Sequence, residues 1–525
     1  MTEAHAQILV GILPLLVPEM ILAGVACIVF LGGTVRSDRH LWGAVTLAGF
    51  AAAQVALHLS AAPTLAADAP LTPVLFDPLT NLLRAFGFLT GILFTLLSWN
   101  EVDDRRAADW HACLLILVAG IGLTAAANDL VLMFLVLELI SIPTYVMLYV
   151  PREDALIQEA ALKYFLLSVF SSALVLFGFS YLYGMTGETN LTRILQALNS
   201  PELTASDSPL LGTVALVTIV AGLGFRLKAA PFHFYAPDVF QGGPVVMSAL
   251  LAWVHKATGF IALLRILGYV LPPNVPSGHL LGAGLSEQTP ILFWFLAAIT
   301  MTWGNVLGLA QVNVKRMFAY STVAHAGYML IALSTASYLR SDPGGADGIE
   351  ALLFYLVAYG ITTVGAFAVI AYLSTPERPV DTIDDLAGLS RSHPALALMM
   401  AIFLFSLIGI PLTAGFTGKF LVFFGAMAVE GDHARLYWVL ALIGVVNAAI
   451  GGWYYLRLIA VMYLRQPLQP LTPRPNLPGL ATLIVCAVLT VGFGVPPGSN
   501  WLMKHVQEAA GTVPERPGPR AEVAR

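Results

Sequence analysis

Lys228 and Lys256 stand on either side of a Pro- and Gly-rich reversal, in the run AGLGFRLKAAPFHFYAPDVFQGGPVVMSALLAWVHKATGF over 221–260. Both flanks are apolar enough to span a membrane, and a lysine at the bilayer centre costs roughly 2.5 to 3.5 kcal/mol even on the mildest scale. With the chain turning back near Gln241 to Gly243, each lysine is about 20 Å along its helix, near the middle of a hydrocarbon core about 30 Å thick. Glu138, in NDLVLMFLVLELISIPTYVMLYV, is roughly 18 Å from the end of its run, at the depth of Lys228. A carboxylate facing an ammonium is the least costly way to keep both in a dry bundle. Such a pair is poised for acid–base chemistry, because burial and the neighbouring charge pull in opposite directions and a small movement hands over a proton. The bland alternative is a static ion pair, although a lone buried pair adds little net stability once desolvation is counted.

A third lysine, Lys419, follows the breaker-rich stretch GIPLTAGFTGKF. His255, beside Lys256, and His325, in KRMFAYSTVAHAGYML, belong to the residue type that passes protons near neutral pH; a lone histidine in an apolar helix is otherwise a hydrogen-bonded core residue. His233 lies within the first break, where it serves to satisfy freed carbonyls. Glu19, after Pro18, is either interfacial or functional. Lys163 and Glu159 in QEAALKYFLLSVFSS lie near the cytoplasmic end of their helix, where they snorkel or, on the second reading, mark a proton entrance. Ser168, Ser171, Ser172, Asn305, Tyr359, Thr362 and Thr363 are of types that hold water or cross-link helices, and helix packing is the plainer reading. Asp238 is expected to cap the next segment, and Asn190-Leu191-Thr192 fits a glycosylation pattern that is common by chance.

These residues need an apolar scaffold, and the composition supplies one. Of 525 residues 58% are hydrophobic and 11% charged, and the mean hydropathy is +0.80, which makes this a polytopic membrane protein. The net charge of −5, spread over short loops, implies no nucleic-acid partner. Cys27, Cys113 and Cys486 sit singly in apolar runs, which suggests neither disulfide, zinc nor iron–sulfur cluster. No Walker loop and no GxGxxG after a strand occurs, so the chain itself is not expected to bind a nucleotide.

The apolar run over 8–33 is too long for a signal peptide and reads as the first span. Further spans are predicted at 41–61, 79–97, 110–127, 130–150, 158–184, 210–230, 245–271, 291–312, 317–339, 349–373, 394–428, 437–464 and 477–495, about fourteen by the twenty-residue criterion. The connections over 272–286 and 341–348 carry Pro, Gly, Asp and Ser, and from His505 onward the chain reads as a frayed polar tail. Basic residues concentrate in alternate loops, at Arg36, Arg39, Arg105, Arg106, Arg152, Lys315, Arg316, Arg378, Arg391, Arg465 and Arg474. These loops are therefore expected to be cytoplasmic, with both termini outside. The run over 394–428 is too long for one straight span and must break near Pro411 to Gly418. It repeats, five spans later, the broken helix that carries Lys228, and interrupted helices at matching positions point to two inverted repeats. The expected organisation is 1–108 for the first three helices, 109–272 and 273–466 for the repeats, and 467–525 for the last helix and tail.

FRLKAAPFHFYAPDVFQGGPVVMSALLAWVHKATGF, NVKRMFAYSTVAHAGYML and GIPLTAGFTGKF resemble the antiporter-like membrane subunits of respiratory complex I, the proton-translocating NADH:quinone oxidoreductase. Pro18-Glu19, the runs around Glu138 and Lys163, and DTIDDLAGLSRSHP most resemble the bacterial N subunit. The resemblance covers nearly the whole chain. It implies an all-α membrane protein of fourteen helices with two inverted five-helix repeats, each containing a broken helix, in the bacterial inner membrane. It further implies that Glu138, Lys228, Lys256 and Lys419 carry protons, with His255 and His325 as relays. Implied partners are the M-type antiporter-like subunit, the small K-, J- and A-type subunits, and lipid. Flavin and iron–sulfur clusters are expected in other partner subunits of the complex, with no cofactor in this chain and quinone as a substrate of the whole complex. Two other readings are a subunit of a multisubunit cation/proton antiporter and a non-pumping scaffold.

Overall fold

A computed structural model of the chain describes residues 11–59, 72–150, 154–198, 209–270, 282–339, 347–375, 378–467, 471 and 476–511. Among these the fold is helical, with only isolated β-bridges such as Val74–Ala127 and Asp129–Asn190 and no strand. The α-helices are α1 (Val17–Gly33), α2 (Arg39–Leu59), α3 (Pro78–Leu97), α4 (Ala107–Ala126), α5 (Leu130–Tyr149), α6 (Ala155–Thr186), α7 (Leu191–Leu198), α8 (Pro209–Leu227), α9 (Ala236–Gly242) and α10 (Val245–Val270). They continue as α11 (Gly282–Leu309), α12 (Val314–Leu339), α13 (Gly348–Leu373), α14 (Leu389–Ser392), α15 (Pro394–Ile408), α16 (Ala414–Met427), α17 (Ala434–Leu464), α18 (Leu477–Gly492) and α19 (Gly498–Ala510).

Among the described residues eleven helices are long and apolar enough to cross a membrane. The interrupted pairs α8/α9 and α15/α16, together with the shorter apolar α18, bring the crossings to the fourteen expected. Local chemistry sets the helix starts. Asp77 accepts from the Thr80 N–H (2.8 Å), Asp154 from Ile157 (2.9 Å), Asp347 from Ile349 (2.9 Å) and Asn476 from Gly479 (3.1 Å), each satisfying a backbone donor that the first turn leaves free. Gly187, with φ 69°, ends α6 in the left-handed conformation that glycine adopts without penalty.

The chain packs as two compact units. The first comprises residues 1–223 and 258–285 with a short piece near the C-terminus, and the second 224–257 and most of 286–525. This division follows packing, a different property from the internal repeat. In the first unit α4 is central and α1, α2, α3 and α5 pack on it. In the second α13 is central, buried on every side by α12, α15, α16, α18 and α19.

Three sequence expectations change. The connection predicted over 272–286 is helical from Gly282 onward, while 271–281, 340–346 and 512–525 lie outside the described residues. His505 is not in a frayed tail but in α19, where Leu502, Val506, Ala509 and Ala510 are buried and recur at helical spacing. Four apolar residues on one face suffice to dock a helix that reads as polar overall. Asp238, expected to cap the next segment, lies inside the first turn of α9 and accepts a hydrogen bond from Arg316 at 2.7 Å.

Candidate functional site

Glu138 stands half-buried in the middle of α5, on the face turned to α6. The Ser172 hydroxyl donates to its Oε1 in a very short contact. Two neighbouring serines of α6 also link helices: Ser168 accepts from the Tyr145 hydroxyl at 2.8 Å, and Ser171 donates to the Gly222 carbonyl at 2.6 Å. Lys163 pairs with Glu159 one turn away at 2.7 Å, with both side chains substantially exposed, as a snorkelling pair should be. All of these belong to the first unit.

The first interruption begins at Lys228. Its φ of 60° is a conformation that costs an L-residue roughly 1–2 kcal/mol, and the helix of 210–230 expected from sequence therefore stops at Leu227. The freed backbone groups are individually satisfied. Ala229 N donates to Gly224 O at 2.9 Å, Ala230 N to the Thr300 hydroxyl at 3.0 Å, and the Phe225 carbonyl accepts from the Tyr235 hydroxyl at 3.0 Å. Tyr235, whose ring stacks on Phe225 at 4.2 Å, thus does what was expected of His233. His233 instead packs its ring against Trp303, 5.6 Å away. The Lys228 ammonium is fully buried and donates to the Leu251 carbonyl on α10 at 2.7 Å. Lys256 is five residues further along that helix, about 7.5 Å by helical rise, and His255 is buried beside it.

The Lys256 ammonium donates to the Thr322 carbonyl at 2.7 Å and lies 3.9 Å from the centroid of the Tyr359 ring, a cation–π contact. Tyr359 donates to the Thr322 hydroxyl at 3.0 Å, and the His325 ring lies 5.0 Å from the Tyr359 ring. On its other side His325 meets Tyr328 edge-on at 5.6 Å, and the Tyr328 ring carries the Lys419 ammonium 4.8 Å from its centroid. His325 is thereby bracketed by two tyrosines, each holding one lysine. Its two nitrogens meet hydroxyls, Nδ1 that of Tyr355 at 2.6 Å and Nε2 that of Tyr455 at 3.2 Å.

The second interruption supplies Lys419. Gly409 (φ 92°) and Leu412 (φ 71°) turn the chain between α15 and α16. Lys419, in the second turn of α16, reaches back to donate to the Leu407 (2.8 Å) and Ile408 (3.0 Å) carbonyls at the end of α15. A cation there also complements the negative end of the helix dipole. Ser406 accepts from Gly415 N (3.1 Å) and shares a hydrogen bond with Thr362 (3.0 Å). Only glycine fits at 415 and 418: a Cβ there would meet the Ser406 carbonyl oxygen at 2.0 Å and the Tyr355 side chain at 2.5 Å.

Of the residues singled out by sequence, Lys256, His325 and Lys419 converge on one aromatic cluster, and Lys228 joins their line through α10. Glu138 is in the first unit and Lys228 in the second; each is engaged within its own unit, by Ser172 and by the Leu251 carbonyl. Tyr328, Tyr355 and Tyr455 carry no signal in the sequence, where they look like ordinary core residues in apolar helices. Arg84, which gives Glu19 a buried two-pronged partner at 2.7 and 2.8 Å, and Arg265, which holds Asp77 through two 2.7 Å bonds, are additions to the residues singled out by sequence. An arginine inside an apolar run is the same signal that singles out the lysines. Asn190 turns its amide inward, toward the Thr72 carbonyl at 3.3 Å.

The chain is similar to known membrane proteins along most of its length. Residues 127–451 match the family model described as "NADH:quinone oxidoreductase/Mrp antiporter, TM". NADH-quinone oxidoreductase subunit N 1 of Solibacter usitatus (strain Ellin6076) is 36% identical over 441 residues, 83% of this chain and 84% of the relative. A chain of respiratory complex I from Thermus thermophilus superposes with a TM-score of 0.73 at 30% identity, covering 92% of this chain and 97% of that one. A chain of the Mrp complex from Dietzia sp. DQ12-45-1b gives 0.77 at 18% identity over 94% and 97%, a likeness of fold alone.

Proposed function

Because the chain belongs to the NADH:quinone oxidoreductase/Mrp antiporter membrane family, we propose that it is the N-type proton-translocating subunit in the membrane arm of a bacterial NADH:quinone oxidoreductase. Electron transfer from NADH to quinone takes place in partner subunits that hold the flavin and iron–sulfur clusters; this chain carries protons. Its neighbours are the M-type antiporter-like subunit and the small K-, J- and A-type subunits, with lipid on the remaining faces. It sits in the inner membrane with both termini outside. Redox-driven rearrangement in the partners perturbs Glu138, changes the proton affinity of Lys228, and sends a proton through Lys256, His255 and His325 toward Lys419.

The single observation that carries this reading is the continuous line Lys256–Tyr359–His325–Tyr328–Lys419, buried throughout and contributed by four helices. Burying two ammonium groups and an imidazole together gains no stability, so their alignment calls for a transport role. In vesicles containing the whole complex, Lys228→Ala and Lys419→Ala should leave assembly intact and depress NADH-driven proton translocation. Full proton stoichiometry in both variants would remove the mechanism. A family that includes Mrp antiporters also admits cation/proton exchange. On that alternative, deleting the chain leaves NADH oxidation by the membranes unchanged.

A further inference from the structure

We infer that Tyr455 and Tyr355 carry protons in this chain, flanking His325 in a hydroxyl–imidazole–hydroxyl wire that loads the second unit from its Lys315 and Arg316 end. Resting on the proton-translocation reading above, this adds the route by which a proton reaches the cluster without passing along the Lys228 side. Ser321, His325, Tyr355 and Tyr455 are each at most 2% exposed. The Ser321 and Tyr455 hydroxyls are in very short hydrogen-bond contact; Tyr455 continues to His325 Nε2 at 3.2 Å, and His325 Nδ1 to Tyr355 at 2.6 Å. Four side chains from α12, α13 and α17 thus form three consecutive hydrogen bonds with no apolar gap.

The wire has a direction. Ser321 is two turns into α12, which begins at Val314 beside Lys315 and Arg316, and Tyr455 is nine residues before α17 ends at Leu464, beside Arg465. Both therefore stand toward the basic end of their helices, where Lys315 approaches Asp381 at 3.7 Å and Arg316 meets Asp238 at 2.7 Å. At the other end the Tyr355 ring lies against Gly418, next to Lys419.

A neutral imidazole has one N–H, so of the two tyrosines one donates to the ring and the other accepts from it. When a proton arrives from the Ser321 side, the Tyr455 O–H bond breaks as the Nε2–H bond forms. The Nδ1–H proton passes to Tyr355, whose own hydroxyl proton leaves toward Lys419. Every bond broken is matched by one formed, and no electron changes owner. The passage exchanges the histidine tautomer, so the wire carries one proton and must reset before the next.

The competing view is that these hydroxyls only tie three helices together. Tyr455→Phe and Tyr355→Phe remove the oxygens and keep the rings. Introduced into the whole complex in vesicles, with Lys419→Ala in parallel, each should slow proton delivery through this chain by about tenfold or more. NADH-driven uptake should then fall to the level of the lysine variant, and the slowed proton step should raise the solvent deuterium isotope effect on turnover, which a packing role would leave alone. Tyr455→His, which again places a proton carrier on the path, should recover part of the uptake. Phe variants that pump as the parent does, beside a defective Lys419→Ala, would overturn the wire and leave the translocation reading standing. A Lys419→Ala complex pumping at full stoichiometry would overturn that reading itself. Should a Phe variant fail to assemble, Ser321→Ala reads the same step with every ring in place, and normal uptake there counts against the wire.

Discussion

The two interrupted helices place a lysine at a break by opposite means. In the first, Lys228 is itself the residue with left-handed backbone, and its ammonium leaves the helix to reach Leu251 on α10. The Gly224 carbonyl that its N–H abandons accepts from Ala229 N instead, and Lys228 N shares the Phe225 carbonyl with the Tyr235 hydroxyl. In the second, Gly409 and Leu412 take the unusual backbone, Lys419 stays helical, and its ammonium returns to the open end of its own broken partner, at Leu407 and Ile408. The first lysine is therefore wired outward and the second inward. A movement of α10 is felt at once by Lys228, whereas Lys419 answers to the gap between α15 and α16 and to the Tyr328 ring of α12.

The largest expected effect that sharpens this contrast is steric. Gly415→Ala would set a methyl 2.0 Å from the Ser406 carbonyl oxygen, a backbone atom at the closed end of the second gap. Overpacking of this kind typically costs 1–3 kcal/mol, and occasionally more, because backbone cannot step aside as a flexible side chain does. Thermal inactivation of the detergent-solubilised complex should come several degrees earlier, with Lys419 displaced from its carbonyls. An unchanged inactivation temperature would mean that the second gap is looser than its contacts imply.

Next in size is a reversal of sign between the lysines. At position 228 the backbone is left-handed, so Lys228→Gly should leave the chain about 1 kcal/mol more stable than Lys228→Ala, both having lost the same ammonium. At 419 the backbone is helical and the order inverts: Lys419→Ala should exceed Lys419→Gly by about 1 kcal/mol. Comparing each Gly variant with its Ala counterpart cancels the charge and the cavity, so thermal stability of the four complexes reads the backbone alone. The same order at both sites would erase the distinction drawn between the breaks.

Much of this is legible in the amino-acid sequence. Charges in apolar runs exposed Lys228, Lys256, Lys419 and Glu138, and Pro and Gly exposed both breaks, since each departs from what a membrane helix tolerates at no cost. The three-residue shift in the end of α8, from 230 to Leu227, was not legible: nothing in RLKAAP says that Lys228, with no Pro or Gly beside it, would be the one to leave the helix. The tyrosines were hidden for another reason. Tyr328, Tyr355 and Tyr455 occur in apolar helices as core aromatics commonly do, and their hydroxyls become a network only when α12, α13 and α17 are packed together. Arg84 and Arg265 are visible by the same rule as the lysines, and each brings a carboxylate partner, Glu19 buried and Asp77 partly buried. The C-terminal α19 reads as polar because the one face that matters contributes so few residues.

The smallest effect falls on the outward-wired break. Tyr235→Phe keeps the ring stacked on Phe225 and removes only the hydroxyl that serves the Phe225 carbonyl. A buried acceptor left without its donor costs about 1–3 kcal/mol, but this carbonyl also accepts from Lys228 N at 3.1 Å, so the loss should stay near the lower end of that range. The deletion should loosen the turn that presents Lys228 while leaving Lys419 and its two carbonyls untouched. Amide hydrogen exchange should then quicken at 228–236 and stay at parental rates across 405–419. Faster exchange in both breaks would show that they yield together, and the outward and inward wiring would be two descriptions of one elastic element.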